Sequence, residues 1–305
     1  MIGTFALMPA SMMYAAFCAD PLNPRKVEPD YELEALCARD AGFNVIVIDH
    51  DELDQRIDPK AALKPARISD SGSFVYRGWM LRSSAYTQLH DALLDSQLQP
   101  LVSAKNYEVC HHAPNSIETL KAFIPQTKFV SINDLDNQYE IRETLSSFSE
   151  GGVVIKDWVK SQASGYWHEA CYIPDVQDAA AAEKVINRFR ELQADSLVGG
   201  IVFKKYVPLM PVGSPAYEYR AFVVEGSVVG CWPRSAEANQ IGNPPQELLD
   251  QIAQCIESPF ASMDLSIDEN GKWWLLEVGD GQVSGLPATE AASELFEALA
   301  GAMSK

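Results

Sequence analysis

Basic residues are scarce in this 305-residue sequence, which has 24 lysines and arginines against 42 aspartates and glutamates. The formal net charge is −18 and the sequence pI is about 4.6. Nucleic acids and anionic membranes bind proteins through clustered lysine and arginine side chains. We therefore expect no nucleic-acid or membrane partner, although a small anion held in a local basic pocket is compatible with this charge.

Long apolar runs and paired cysteines are also missing. No run of about 18 apolar residues is present, so no transmembrane helix is expected. Residues 4–19 are apolar and end in small residues like a signal peptide, but no basic residue precedes Arg25 and Pro9 interrupts the segment. We expect a buried first strand, Thr4–Met8, and a following segment. The six cysteines are widely spaced without a C-x-x-C pair, which predicts reduced thiols in a cytoplasmic protein.

The length and the 47% hydrophobic content favour more than one packed unit. Predicted strands and helices alternate over residues 1–114, which indicates a parallel α/β domain. The predicted strand Phe74–Gly78 ends near Arg77, and ligands of such sheets bind at the carboxyl ends of the strands. Arg77 is therefore predicted to hold a substrate carboxylate or phosphate, with a purely structural arginine as the alternative.

A predicted hairpin over residues 262–277 carries two opposed acids. Asn270-Gly271 predicts a type I′ turn, and counting back from it places Asp264 directly across from Glu277. Like charges in a cross-strand pair are destabilising, and a divalent cation between them would reverse that effect. Mg²⁺ suits two carboxylates completed by water and phosphates, whereas a solvated hairpin face is the alternative. The same register predicts one apolar face formed by Met263, Leu265, Ile267, Trp274, Leu276 and Val278.

Several local features follow one another in a recognisable order. A predicted strand ends in Lys156, and a loop of small residues follows it. The strand Gly200–Phe203 runs into Lys204-Lys-Tyr-Val207, and Glu218-Tyr-Arg220 begins a second predicted hairpin that turns at Glu225-Gly226. The acidic hairpin then leads into Glu277-Val-Gly-Asp-Gly-Gln-Val-Ser-Gly285.

In this order the chain resembles the ATP-grasp superfamily, and in particular its clade named for one arginine and two lysines. The resemblance implies an α/β fold, with α+β character in the C-terminal part. A small pre-ATP-grasp domain would occupy residues 1–114 and a two-subdomain ATP-grasp domain residues 115–305, divided at about residues 203 and 204.

The resemblance also implies roles for individual residues. Arg220, Lys156 and Lys160 match the arginine and the two lysines, and Arg234 is expected to point into the cleft as a further catalytic residue. Asp264 and Glu277 match the Mg²⁺ ligands. Asp280 is the expected third ligand, because Gly279 stands where many members have asparagine. ATP would be held by Lys128, Lys156, Lys204, Lys205, Tyr206, Val207 and Arg220.

The implied activity is an ATP- and Mg²⁺-dependent ligation of a carboxylate to an amine through an acylphosphate, with release of ADP and phosphate. The expected partners are a small-molecule or peptide carboxylate and an amine acceptor, and a homodimer is an open alternative to a monomer. A phosphotransferase on the same fold is the first alternative function. A non-catalytic nucleotide- or Mg²⁺-binding protein is the second, favoured by the missing asparagine.

Overall fold

A computed structural model describes residues 12–66, 68, 70–159, 163–211 and 216–304, and contains three β-sheets, each with its own hydrophobic core. The predicted strand Thr4–Met8 and Lys160 lie outside the described residues. The cysteines Cys18, Cys37, Cys110, Cys231 and Cys255 are free thiols. No described helix has the length and apolarity needed to cross a bilayer.

The first sheet confirms the predicted parallel α/β unit. Its strands are β1 Met12–Asp20, β2 Asn23–Val27, β3 Asn44–Ile48, β4 Gly72–Arg77 and β5 Leu98–Pro100. β3, β1, β4 and β5 run parallel in that order, and β2 pairs antiparallel with β1. The helices of this part are α1 Glu32–Asp40, α2 His50–Asp54, α3 Pro59–Leu63, α4 Ser83–Asp95 and α5 Ala104–His111. The carboxyl end of β4 contacts the C-terminal part of the chain, because Arg77 and Gly78 donate hydrogen bonds to the carbonyls of residues 281 and 282.

The second sheet is antiparallel, with β6 Thr127–Ser131, β9 Gly200–Lys205, β7 Val153–Asp157 and β8 Tyr172–Ile173 in that spatial order. The helices in this part of the chain are α6 Ile117–Leu120, α7 Gln138–Ser146, α8 Ala163–Tyr166 and α9 Ala179–Gln193, and a π-helix spans Trp167–Cys171. Apolar residues of β6, β7 and β9 form a core with α7 and α9 on one face. Because strand residues alternate between faces, Lys156 and Lys204 lie on the opposite face.

The third sheet holds the acidic hairpin. Its order is β11 Ser227–Pro233, β10 Glu218–Val224, β12 Phe260–Ile267 and β13 Trp273–Asp280. Helix α10 Gln246–Ala253 packs on one face. Phe222 and Phe260 on the other face join the core of the first sheet, together with helix α11 Ala291–Met303. The third sheet and α11 therefore connect directly to the N-terminal unit.

The two hairpin turns differ from each other. Glu225 and Gly226 both have positive φ (49° and 72°), which is the type I′ geometry. At the other predicted turn only Gly271 of the pair has a positive φ, 81°, and the Asp268 carboxylate accepts hydrogen bonds from the amides of Asn270 and Lys272. The predicted type I′ turn at Asn270-Gly271 is therefore wrong. The Asp268 side chain organises this turn instead.

This turn shifts the strand register by one residue, and a bulge between Asp264 and Leu265 restores it. Leu265 consequently pairs with Leu275, and the predicted pairing of Asp264 with Glu277 is confirmed. The predicted apolar face is wrong at two positions, because Trp273 and Leu275 contact the core in place of Trp274 and Leu276. A one-residue slip exchanges the faces of a strand, and the bulge limits that exchange to the residues near the turn.

Candidate functional site

Two lysines of the second sheet lie side by side. Lys156 pairs with Val202 and Lys204 pairs with Val154, so both lysines project from the face opposite the core. The Nζ atom of Lys204 donates a hydrogen bond to the Leu276 carbonyl at 2.5 Å. Burial and, to a smaller extent, the Lys156 cation lower the pKa of Lys204 to about 8, and Glu277 partly offsets them. The Lys156 cation raises the cost of charging Lys204, which favours an anionic ligand beside the two lysines.

On the third sheet three charged residues lie on adjacent strands. Asp264 pairs in register with Arg220 on one side and with Glu277 on the other. The Nε and Nη2 atoms of Arg220 donate to the two oxygens of Asp264, both at 2.7 Å. Nη1 of Arg234 donates to Asp264 Oδ2 and to Glu218 Oε2, both at 3.1 Å. Two arginines therefore neutralise the Asp264 carboxylate.

A single ion pair joins the two sheets within the described residues. Nζ of Lys156 donates to Oε1 of Glu277 at 2.5 Å. Burial acts to raise the pKa of Glu277, but Lys156, Lys204 and Arg220 outweigh it and hold the pKa below its ordinary value. The site therefore contains four cations and three carboxylates in mutual contact or close range, which we call the charge cluster: Lys156, Lys204, Arg220, Arg234, Glu218, Asp264 and Glu277.

The charge cluster fits a divalent cation that arrives with a polyanion. Among the described residues no three Asp, Glu, His or Cys side chains come together as a metal site. Two opposed carboxylates without a third suit Mg²⁺, which usually keeps several waters and takes further oxygens from bound phosphates. The cations that now hold Asp264 and Glu277 are the groups that would bind those phosphates.

A family model matches residues 144–299, which include the whole charge cluster. It describes an ATP-grasp domain, the third family of the clade named for one arginine and two lysines. The chain belongs to this family. No curated protein sequence matches this chain. The cofactors of ATP-grasp enzymes are ATP and Mg²⁺, and the donor set of the charge cluster suits both.

Solved structures of ATP-grasp proteins share the fold over nearly the whole chain. D-cycloserine synthetase DcsG has a TM-score of 0.64 and 15% identity, covering 95% of this chain and 99% of that one. A RimK domain ATP-grasp protein from Sphaerobacter thermophilus DSM 20745 has a TM-score of 0.61 and 13% identity, with coverage of 95% and 99%. The D-alanine-D-alanine ligase from Coxiella burnetii has a TM-score of 0.56 and 12% identity, with coverage of 96% and 95%.

Arg77 lies outside the charge cluster and is closed to solvent. Its side chain is fully buried, and its Nε and Nη2 atoms form a two-pronged ion pair with Glu34, both bonds being 2.7 Å long. Its Nη1 atom donates to the carbonyls of Gly281 and Ser284 at 2.5 and 2.9 Å. The prediction that Arg77 holds a substrate carboxylate is therefore not supported, because an internal carboxylate occupies its guanidinium. The structural alternative describes Arg77 better.

Asp280 also lies apart from the charge cluster. It is 1% exposed, and its Oδ1 atom accepts hydrogen bonds from the backbone and side-chain nitrogens of Gln282. Burial raises the pKa of Asp280 to about 7, and the hydrogen bonds from Gln282 only partly offset this. The structure does not bring Asp280 to Asp264 and Glu277. It does not support Asp280 as the third metal ligand.

The remaining predicted nucleotide contacts divide by strand face. Lys128 pairs with Phe203, and paired residues share one face of a sheet. Phe203 packs in the core of the second sheet, so Lys128 lies on the face opposite Lys156 and Lys204. Lys205 pairs with Val153 on that same core face. The amides of Lys205 and Tyr206 already donate to the carbonyls of Gln126 and Gly152. Tyr206 and Val207 follow β9 directly, and the Tyr206 ring packs on Tyr172 with centroids 4.9 Å apart.

A narrow cavity of about 40 Å³ separates the second and third sheets beside the charge cluster. Its lining includes Lys156, Lys204, Glu277 and the side of β13. Residues of the segment 111–124, among them His111 and Ile117, also line this cavity, and no motif in the sequence indicated this role. Glu218, in contrast, belongs to a motif noted in the sequence, and its pairing with Arg234 adds it to the site.

Proposed function

We propose that this protein is an ATP- and Mg²⁺-dependent ligase that joins a carboxylate to an amine and releases ADP and phosphate. The observation that carries the proposal is the charge cluster, in which cations from two separate sheets face the opposed carboxylates of Asp264 and Glu277. The named activities of similar structures support it, since a D-alanine-D-alanine ligase and a D-cycloserine synthetase share the fold. The ATP-grasp ligase PsnB, solved with Mg and ADP, also shares it.

In this proposal each part of the charge cluster has one task. Lys156, Lys204 and Arg220 bind the phosphates, and Lys160 supplies a further cation. Asp264 and Glu277 hold Mg²⁺, which neutralises charge on the phosphates when bound. The segment Tyr206–Val207 binds the adenine. The proposed units remain residues 1–114, 115–203 and 204–305, and the free thiols support a cytoplasmic location.

Ligand binding must exchange partners within the charge cluster. Asp264 is held by Arg220 and Arg234, and Glu277 is held by Lys156, so neither acid is free for a metal. Once phosphate oxygens take over the cations, both carboxylates are released toward Mg²⁺. We therefore propose that Mg²⁺ and ATP bind cooperatively, because each ligand removes the counter-charge that blocks the other.

The reaction needs no covalent nucleophile from the protein. A substrate carboxylate oxygen attacks the terminal phosphorus of ATP, ADP leaves, and an acylphosphate remains. The amine nitrogen then attacks the carbonyl carbon, phosphate leaves and the nitrogen loses a proton. Arg220 and Arg234 stabilise the negative charge that develops on the transferred group, because Arg220 is fixed on β10 and Arg234 directly follows the neighbouring β11.

The test is release of ADP with a panel of amino acids and short peptides as acids and amines. The ligase proposal predicts release that requires both an acid and an amine. Asp264→Asn and Glu277→Gln should abolish it and remove cooperative binding of Mg²⁺ and ATP, while the exposed Glu297→Gln in α11 should behave as wild type. Full turnover by Asp264→Asn would overturn the metal assignment.

Two other outcomes identify the alternatives. ADP release with an acid alone would indicate a phosphotransferase. Binding of ATP without turnover of any substrate pair would indicate a non-catalytic nucleotide-binding protein. The second alternative has a specific observation in its favour. Among the described residues Asp264 and Glu277 oppose each other without a third metal ligand, and Gly279 stands where many family members have asparagine.

A further inference from the structure

The segment Asp280–Gly285 begins at the last residue of β13 and is called here the 280–285 loop; Gln282 ties it to the first sheet. The Gln282 carbonyl accepts a hydrogen bond from the Gly78 amide at 3.1 Å. Its side-chain Oε1 atom accepts from the Tyr76 amide at 3.3 Å and from the Tyr86 hydroxyl at 3.2 Å. Gln282 is only 1% exposed. A buried polar side chain with this many partners fixes the backbone that carries it.

The same loop has a second attachment to the first sheet. Nη1 of Arg77 donates to the carbonyls of Gly281 and Ser284, and Glu34 holds the other side of the guanidinium. The Ser284 hydroxyl also bonds Ser262 of β12 at 2.7 Å. The 280–285 loop is therefore fixed between the N-terminal unit and the third sheet.

The far end of the loop contacts the charge cluster. The Gly285 carbonyl accepts a hydrogen bond from Nη1 of Arg220 at 3.0 Å. The Nε and Nη2 atoms of the same guanidinium contact Asp264, the carboxylate that the proposed function assigns to Mg²⁺. If Asp264 turns to the metal, Gly285 is the contact that continues to orient Arg220.

We infer that Gln282 is a positioning residue, which acts through the 280–285 loop and the Gly285 carbonyl to aim Arg220 at the phosphates of ATP. This inference rests on the proposed function. A binding group must be held within about 0.5 Å of its productive geometry by its supporting residues, and arginine has many rotamers of its own. The N-terminal unit thereby contributes to phosphate binding without touching the nucleotide.

The first experiment is a calorimetric titration of ATP and AMP into Gln282→Met, which keeps the side-chain volume and removes its hydrogen bonds. The ATP Kd should rise about threefold to tenfold, as expected for a weakened charged hydrogen bond, and the AMP Kd should stay within about twofold. In an Arg220→Ala background the Gln282 change should have no further effect on ATP, because the two residues act in series. Additive losses in the double variant would overturn the inference.

Two controls separate positioning from loss of stability. Leu89→Ala removes buried atoms from the same core without a hydrogen bond to the loop, so it should lower the melting temperature and leave the ATP Kd unchanged. Tyr86→Phe removes one partner of Gln282 and keeps the ring stacked on Tyr107, with centroids 4.0 Å apart. If Gln282→Met does not fold, Tyr86→Phe should still weaken ATP selectively, and equal losses for ATP and AMP would overturn the inference.

A second readout needs no nucleotide. The Nε–H group of Arg220 donates to Asp264 while Nη1 of the same guanidinium donates to Gly285, so Nε–H should give a dispersed ¹⁵N NMR signal that Arg220→Lys identifies by its disappearance. Gln282→Met should shift or broaden this signal, and Leu89→Ala should not. An unchanged signal would refute positioning even if ATP binds. If Gln282→Met shifts the signal but the wild-type protein does not bind ATP, the proposed function is refuted and the structural link between Gln282 and Arg220 still holds.

Discussion

The buried Asp280 predicts an unusual dependence of stability on pH. Its pKa rises from 3.8 to about 7 in the folded protein because burial disfavours the carboxylate. Its Oδ2 atom has no hydrogen-bond partner in the described structure, whereas Oδ1 accepts both bonds from Gln282. Asp280→Asn should keep the Oδ1 contacts and remove the charge.

The direction in which stability changes with pH follows from the number of protons that the folded and unfolded states bind. Between the unfolded pKa near 3.8 and the folded pKa near 7 the folded state holds a proton that the unfolded state lacks. This group therefore stabilises the fold fully below the lower value, and the stabilisation is lost as the pH rises through the upper one. The two pKa values imply a loss of roughly 2–3 kcal/mol in the free energy of unfolding between about pH 5 and about pH 8.

The assay is urea unfolding of wild type and Asp280→Asn at several pH values. Burial raises the pKa values of the neighbouring Tyr86, Tyr107 and Cys110 far above this pH range, so these three groups stay neutral in both proteins throughout the titration. The variant should gain on the wild type as the pH rises, by about 2–3 kcal/mol over this range. A difference that does not change with pH would refute the reasoning. Loss of Mg²⁺-dependent ATP binding in the variant would return Asp280 to the metal site.

Three further outcomes follow from particular contacts. Arg77→Met should lower the free energy of unfolding by about 3–5 kcal/mol, because Glu34 remains buried without its partner. Adding Glu34→Gln to the same chain should recover part of this loss. Urea unfolding measures both changes, and a double variant without recovery would contradict the ion pair. Gly226→Ala should lower the free energy of unfolding by about 1–2 kcal/mol because Gly226 has φ 72°, whereas Gly301→Ala within α11 should raise it. Equal melting temperatures for the two variants would argue against the turn geometry. Phosphates near Lys204 should raise its pKa from about 8, so the protein should take up protons on binding ATP at about pH 8 and few at about pH 6.5. Calorimetry in buffers of different ionisation enthalpy measures this proton uptake, and equal uptake at the two pH values would refute the prediction.

The parts of the site that were predictable are those governed by local periodicity. A strand that carries Lys156 near its end and a strand that runs into Lys204 were both predicted, and because strand residues alternate faces, each lysine lies opposite its apolar neighbours in the core. The pairing of Asp264 with Glu277 was correct although the turn beside it was not. That register survived because the bulge compensated the turn, which no count along the sequence could reveal.

The sequence by itself therefore determined the alternation of strands and helices in the first unit, the pairing of the two opposed acids and the family of the fold. The tertiary structure decided which of those charges are available. Arg77 and Glu34 are 43 positions apart, and Arg77 and Gly281 are 204 positions apart. Periodicity within one strand contains no information about partners so distant, and burial of an ionisable group depends on the packing of whole units. For that reason Arg77 and Asp280 resembled ligand-binding residues in the sequence and proved to be buried at the junction between units, where the structure indicates their actual partners.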